Sequence, residues 1–229
     1  FKNSGESSHG YGSAPAPVLN GFITYSLVAT GHGKKLDREL SHQADVSRTS
    51  SDPYVLALAA RSLSISNHPA ADKAIARLVE LQAEDGSFPG AESSITRSYE
   101  ANLVVESTAL AAMAVMEGGS HHHVSDKAAN WLVQNRQGTG TWGATQATAL
   151  ALAALSTHAE QSRAPRENGQ LFLEVNGKLV GQLKYKADQT GALSIDGWEE
   201  ALEEGDNKIV LRQEGGSPLP FTVDVSWKA

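Results

Sequence analysis

The 229-residue sequence contains no cysteine. That excludes disulfides, thiolate nucleophiles and cysteine metal sites, and it leaves the compartment open, since envelope proteins can lack disulfides. Aromatic residues make up only 6% of the chain, which gives little material for sugar-stacking platforms. No apolar run approaches the roughly 20 residues of a membrane span; the longest alanine-rich stretch, Ala147–Leu155, is far shorter. No pair of adjacent aspartates exists, so an aspartate-rich motif for ionising a prenyl substrate is missing. Positive charge is in the minority: the formal net charge is −7, which argues against nucleic acid and anionic membranes as partners. No signal peptide is evident.

What is present is repetition. The stretch Ala128–Leu155 reads as helix, tight turn, helix. Gly138 and Gly140 end the first helix, because glycine accepts the left-handed geometry of helix ends. Thr145 is the expected N-cap of the second. That second helix, Ala147–Leu155, is apolar on nearly every side and is expected to be buried all round. The unit appears twice more. Asp52 or Ser51 caps a helix with Pro53 at its first position, running through Val55–Ile65. Glu106 opens the helix Ala109–Met116. Each alanine-rich helix has a more charged companion, Ala70–Ala83 or Ser125–Gln137. The three alanine-rich helices therefore predict a buried inner layer and the charged ones an outer layer. Ahead of them, Pro17–Gly31 predicts a helix and Lys34–Asp45 a short outer one, after a loose polar lead-in at 1–17. The stretch Glu84–Arg97 is a long loop between layers.

Near Ala159 the character changes. Glu160–Asn168 has linker composition. Beyond it, alternation at Leu171, Leu173 and Val175 predicts a strand, and Asn176-Gly177 a type I′ hairpin turn. Leu179–Tyr185 is the return strand, and Ala192–Ile195, Lys208–Arg212 and Phe221–Trp227 predict three more. Phe221 and Trp227 share a face and belong in that module's core or at the seam. The domains are thus 1–159, helical, and 169–229, a small antiparallel β-sandwich packed on the helical part through a modest interface.

Three spaced motifs point to a known family. Asp52-Pro53-Tyr54 precedes Leu56-Ala57-Leu58-Ala59-Ala60; Val105-Glu106-Ser107-Thr108 precedes Ala109-Leu110; Trp131-Leu132 and Asn135-Arg136 precede Trp142-Gly143-Ala144-Thr145-Gln146-Ala147-Thr148. In this order they resemble the late repeats of the thioester domain of the α2-macroglobulin and complement family, over about residues 10 to 160. That domain belongs to the α/α-toroid superfamily, which also holds terpene cyclases and prenyltransferase β subunits. The resemblance implies a mainly α fold: a partial toroid of helical hairpins, followed by the second part of a split β-sandwich. It implies about six hairpins in a full ring, of which three and a half can be counted here. It further implies a fragment of a macroglobulin-like endopeptidase inhibitor or defence scaffold. Such a protein would be extracellular or periplasmic, at the cell envelope, with partners in the other domains of its parent chain and in proteases. The family's thioester is built from a GCGEQ-type motif, and this sequence has neither the cysteine nor the motif.

The residues that could carry chemistry gather at one end of the predicted barrel: Asp52, Tyr54, Glu106, Trp142 and Gln146 are the candidate binding residues. Asp52 and Glu106 could face one another as a carboxylate pair, but both fit better as helix caps answering the macrodipole. Gln146 is expected to bond loop backbone groups. His121-His122-His123, with Asp126 beyond, suits zinc or nickel by ligand type. Consecutive histidines cannot all face one way, however, and the preceding Gly118-Gly119-Ser120 predicts an exposed loop. No catalytic residue, metal or cofactor is assigned, and no enzymatic activity is expected. The competing readings are a toroid-superfamily enzyme, a cyclase or polysaccharide lyase, and an envelope binding module whose β domain recognises sugar or protein.

Overall fold

A computed structural model describes residues 14–138, 140–161, 167–187, 189, 193–216, 219 and 221. The fold is mainly α with a β module, and the chain divides into two compact units, 1–158 and 159–229.

The first unit contains seven α-helices among the described residues: α1 (Ala16–Ala29), α2 (Asp37–Thr49), α3 (Pro53–Ile65), α4 (Ala71–Val79), α5 (Glu100–Gly118), α6 (His122–Gln134) and α7 (Thr145–Gln161), the last running three residues past the unit's end. They follow one another as hairpins, with α3 and α5 lying inside. Helix α3 touches α1, α2, α4 and α5; α4 also touches α5 and α2, and α6 packs on α5. Helix α3 is buried from Pro53 to Leu63, and α5 from Val105 to Met116. Small residues make this possible: Ala57, Ala60, Ala109, Ala111, Ala112 and Ala114 bring backbones close, while Leu56, Leu58, Leu63 and Val115 fill the space between them. Each fully buried leucine contributes about 1.5–3 kcal/mol. The outer helices bury one stripe only, Ala74, Ile75 and Leu78 on α4, and Val124, Ala128 and Leu132 on α6.

The two-layer expectation therefore describes α3, α4, α5 and α6, but α7 departs from it. Helix α7 buries Ala147, Ala151 and Ala154 on one face, leaves Leu150 half-buried, and exposes Leu152 at 53%. An all-apolar sequence is buried on every side only if elements surround it, and α7 has described neighbours on one side alone. Its start also differs: Thr145 is the first helical residue, and the carbonyl of Ala144 accepts the first helical bond, from Thr148 N at 2.9 Å. Likewise α5 begins six residues before Glu106, which sits in the helix's second turn and caps nothing. His122 and His123 form the first turn of α6 rather than a loop; left-handed His121 (φ 57°) reverses the chain ahead of them.

The second unit is a three-stranded antiparallel sheet among the described residues, in the order β2-β1-β3, with β1 (Gly169–Val175), β2 (Lys178–Tyr185) and β3 (Ile209–Glu214). Val175 pairs with Lys178 across a two-residue turn. Both turn residues have positive φ, 53° at Asn176 and 79° at Gly177, as a type I′ turn requires. The Asn176 side chain does a second task. Its Oδ1 accepts from Lys208 N at 2.9 Å and its amide donates to Asn207 Oδ1 at 2.8 Å, so the hairpin tip also sets the entry of β3. Residues 193–195 form no strand. Phe221, expected in the module's core or at the seam, is exposed. The rest of the Phe221–Trp227 segment, Trp227 included, and linker residues 162–166 lie outside the described residues.

Candidate functional site

The turns that lead into α5 and α7 are held by the same device. In the first, Phe88 is fully buried and its backbone N–H donates to Thr108 Oγ1 at 3.0 Å. In the second, the buried Trp142 donates its backbone N–H to Thr148 Oγ1, also at 3.0 Å. Ser107 Oγ adds a bond to the Phe88 carbonyl at 2.6 Å, and Trp142 Nε1 donates to the Leu132 carbonyl at 2.7 Å. Both turns also need glycine. At Gly86 (φ 95°) a Cβ would stand 2.5 Å from the Lys127 carbonyl oxygen, and at Gly143 (φ 86°) 2.4 Å from Asn102 Oδ1. A side chain there would be strained by both backbone and space.

The two turns differ in what separates aromatic from threonine: twenty residues in one, six in the other. The additional length contains residues 91–99, a strap across the inner-helix N-termini of α3 and α5. Asp52 Oδ1 caps α3 by accepting from Tyr54 N (2.8 Å) and Val55 N (3.1 Å). Its Oδ2 accepts from Glu92 N at 3.0 Å, at the strap's near end. The hydroxyl of Tyr54 accepts from Ile95 N at 3.3 Å, and Ser94 Oγ accepts from Ser98 N at 3.0 Å. Ser94 and Ile95 are buried. Under the strap lies the carboxyl of Glu106, 0% exposed. Its Oε1 accepts from the Ser98 hydroxyl and, at 3.5 Å, from Thr96 Oγ1; its Oε2 is buried with no hydrogen-bond partner among the described residues. Burial pushes the Glu106 carboxyl above the usual glutamate range, and the hydroxyls of Ser98, Ser94 and Thr96 pull the other way without cancelling it. Burial likewise raises the Tyr54 hydroxyl, opposed by the Ile95 N–H.

The structure thus gathers Asp52, Tyr54 and Glu106 around one strap. Gln146 stands two residues before Thr148, as Glu106 stands two before Thr108, so the two occupy the same repeat position. The Gln146 side chain lines a cavity of about 300 Å³ among α1, α3, α5 and α7, together with Tyr25, Tyr54, Leu58, Arg61 and Leu150. It makes no hydrogen bond to a loop among the described residues. Trp142 faces elsewhere, onto a groove of about 380 Å³ with Asn102, Trp131 and Asn135.

An ion pair of the inner layer escaped the sequence reading. Arg61, 7% exposed, donates from Nε and one terminal nitrogen to the Glu117 carboxylate (2.7–3.1 Å) and stacks 4.3 Å from the Tyr25 ring. Its signal was present: a single arginine inside an otherwise uncharged helix needs a partner. At this end both Asp52 oxygens accept from backbone N–H groups, whereas Glu106 accepts hydroxyls at Oε1 and leaves Oε2 without a partner among the described residues. Among the described residues no three histidine, aspartate or glutamate side chains converge to hold a metal. Asp126 instead meets His158 Nε2 at 2.8 Å.

Paired helices, threonine-anchored aromatic turns and a capped inner-helix end define a helical-hairpin scaffold. Residues 34–158, more than half of the chain, match the A-macroglobulin TED domain. The chain belongs to that family.

Proposed function

We propose that this chain serves as a structural and interaction module of a macroglobulin-like endopeptidase inhibitor or defence protein at the cell surface or in the periplasm. The observation that carries the reading is the family match over 34–158 combined with a sequence that holds no cysteine. These residues cannot form an internal thioester, so covalent capture of a target is outside their chemistry, and what they offer is rigidity and surface. The strapped end supports this. Asp52 and Tyr54 hold loop backbone, and Glu106 Oε1 accepts loop hydroxyls, as a docking face for neighbouring domains of the parent chain would need. No helix among the described residues is long and apolar enough to cross a membrane.

The reading is tested on the parent protein with and without residues 34–158. A protease mixed with the intact parent should keep its activity on small peptides and lose it on large protein substrates, the behaviour of a caged enzyme. Deletion should restore cleavage of large substrates. Unchanged cleavage of large substrates by the intact mixture would refute the inhibitor assignment.

A further inference from the structure

The strap over Glu106 is held by groups whose preference depends on one proton. Hydroxyls of Thr96 and Ser98 reach Oε1, while Oε2 is buried and bare among the described residues. Two non-glycine residues, Arg97 (φ 56°) in the strap and Glu100 (φ 49°) at the first position of α5 just beyond it, sit in the left-handed region. Such strain persists only while the surroundings enforce it. We propose that residues 91–99 form a proton-sensitive latch over the end of the helical unit, closed while Glu106 is neutral and loosened when it ionises.

The physical reason is desolvation. A neutral carboxyl tolerates burial with one oxygen unpartnered; a carboxylate in the same place does not, unless the cover opens and water reaches it. The charges around it do not remove the effect. Asp52 caps α3 with its own bonds, Tyr54 is held neutral by burial, and Glu92, Arg97 and Glu100 of the strap and the start of α5 are exposed. No cation bonds Glu106 among the described residues. The sign follows from linkage. The open strap lets Glu106 ionise in the ordinary glutamate range, whereas the closed strap holds the proton to higher pH. Closure is therefore strongest below the ordinary range, weakens as pH rises toward the raised value, and levels off above it. The same repeat position in α7 carries Gln146, a permanently neutral side chain, and there no strap is present. The latch is independent of whether the parent protein inhibits proteases.

Hydrogen exchange of peptides covering 91–99, corrected for intrinsic rate, tests the proposal from about pH 4 to about pH 8. In the wild-type chain, opening should increase up to ten-fold for each unit by which the Glu106 pKa is raised. In Glu106→Gln the corrected exchange should be flat. Titration of the Glu106 carboxyl carbon by NMR should show a midpoint above the ordinary glutamate range. Ser98→Ala, which removes a hydroxyl that favours the charged form, should move the midpoint further up. A wild-type midpoint in the ordinary range, or the same pH dependence of strap exchange in wild type and Glu106→Gln, overturns the latch. If Glu106→Gln does not fold, the wild-type titration and its direction of shift in Ser98→Ala decide.

Discussion

Replacing Asp52 by alanine removes three backbone bonds through one side chain, and its cost can be apportioned. Two of them cap α3, whose first N–H groups otherwise have no acceptor. Loss of an aspartate cap costs about 0.5–2 kcal/mol. The third, from Glu92 N, ties down the strap. A hydrogen bond to a charged group is worth about 1.5–3 kcal/mol, and the lower end applies because Glu92 is exposed. Asp52→Ala is therefore expected to cost about 2–3 kcal/mol. Asp52→Asn separates the two contributions: asparagine caps as well as aspartate, but its amide nitrogen cannot accept from Glu92 N, so about 1–1.5 kcal/mol should be lost. With a urea m-value of about 2 kcal/mol/M, the alanine variant should lower the midpoint by about 1 M and the asparagine variant by about half that. Hydrogen exchange should report the split independently, with Asp52→Asn loosening Glu92 and leaving Tyr54 and Val55 protected. A loss below about 0.5 kcal/mol in Asp52→Ala, or equal losses in the two variants, would refute the assignment of Asp52 as joint cap and tether.

The other predictions concern packing, activity and the seam. Leu56→Ala, at a fully buried position, should cost about 2–5 kcal/mol in chemical denaturation, whereas Leu152→Ala, at 53% exposure, should cost under about 1 kcal/mol. The isolated chain should show no turnover on polysaccharides or prenyl diphosphates, with or without divalent metal; activity abolished by changing Asp52 or Glu106 would contradict the scaffold reading. Limited proteolysis should cut first between Gln161 and Asn168 and leave two resistant pieces, and a single cooperative unit with no preferred cut there would count against independent helical and β modules.

Local chemistry that repeats was legible from the sequence; contacts that depend on chain-distant partners were not. The capped start of α3 followed from Asp52-Pro53, because both residues act within one turn of chain. The Asn176-Gly177 hairpin followed for the same reason. Glu106 was misplaced because the pattern that begins α3 and α7 close to their motifs suggested the same for α5. In fact α5 starts at Glu100, and the carboxyl that looked like a cap is an interior group. Leu152 was misjudged because an apolar helix states only that it can be buried; what covers it is a property of the neighbours. The Arg61–Glu117 pair lies 56 residues apart in the chain, beyond any periodicity. Of the five candidate residues, three meet at the strap, and Gln146 and Trp142 face separate hollows, because helical repeats place successive motifs around an arc rather than at one point.

The comparison of the two turns explains how a repeat can acquire a strap without losing its fold. The anchor is an aromatic side chain buried between layers and a threonine on the following inner helix that takes its backbone N–H. That contact fixes where the helix stands, whatever number of residues the chain spends between them. Loop closure grows only as the logarithm of length, so the longer connection costs little, and the strap offsets that cost with bonds to Asp52, Tyr54 and Glu106. The exchange has a consequence at the shared repeat position. Under a short turn, that position holds a glutamine beside a cavity; under the strap it holds a carboxyl sealed from water. A glutamine beneath the strap could also accept the Ser98 hydroxyl, and it would hold the strap equally at every pH. Stability alone therefore gives no reason for an ionisable group there, whereas a strap whose closure follows pH requires one.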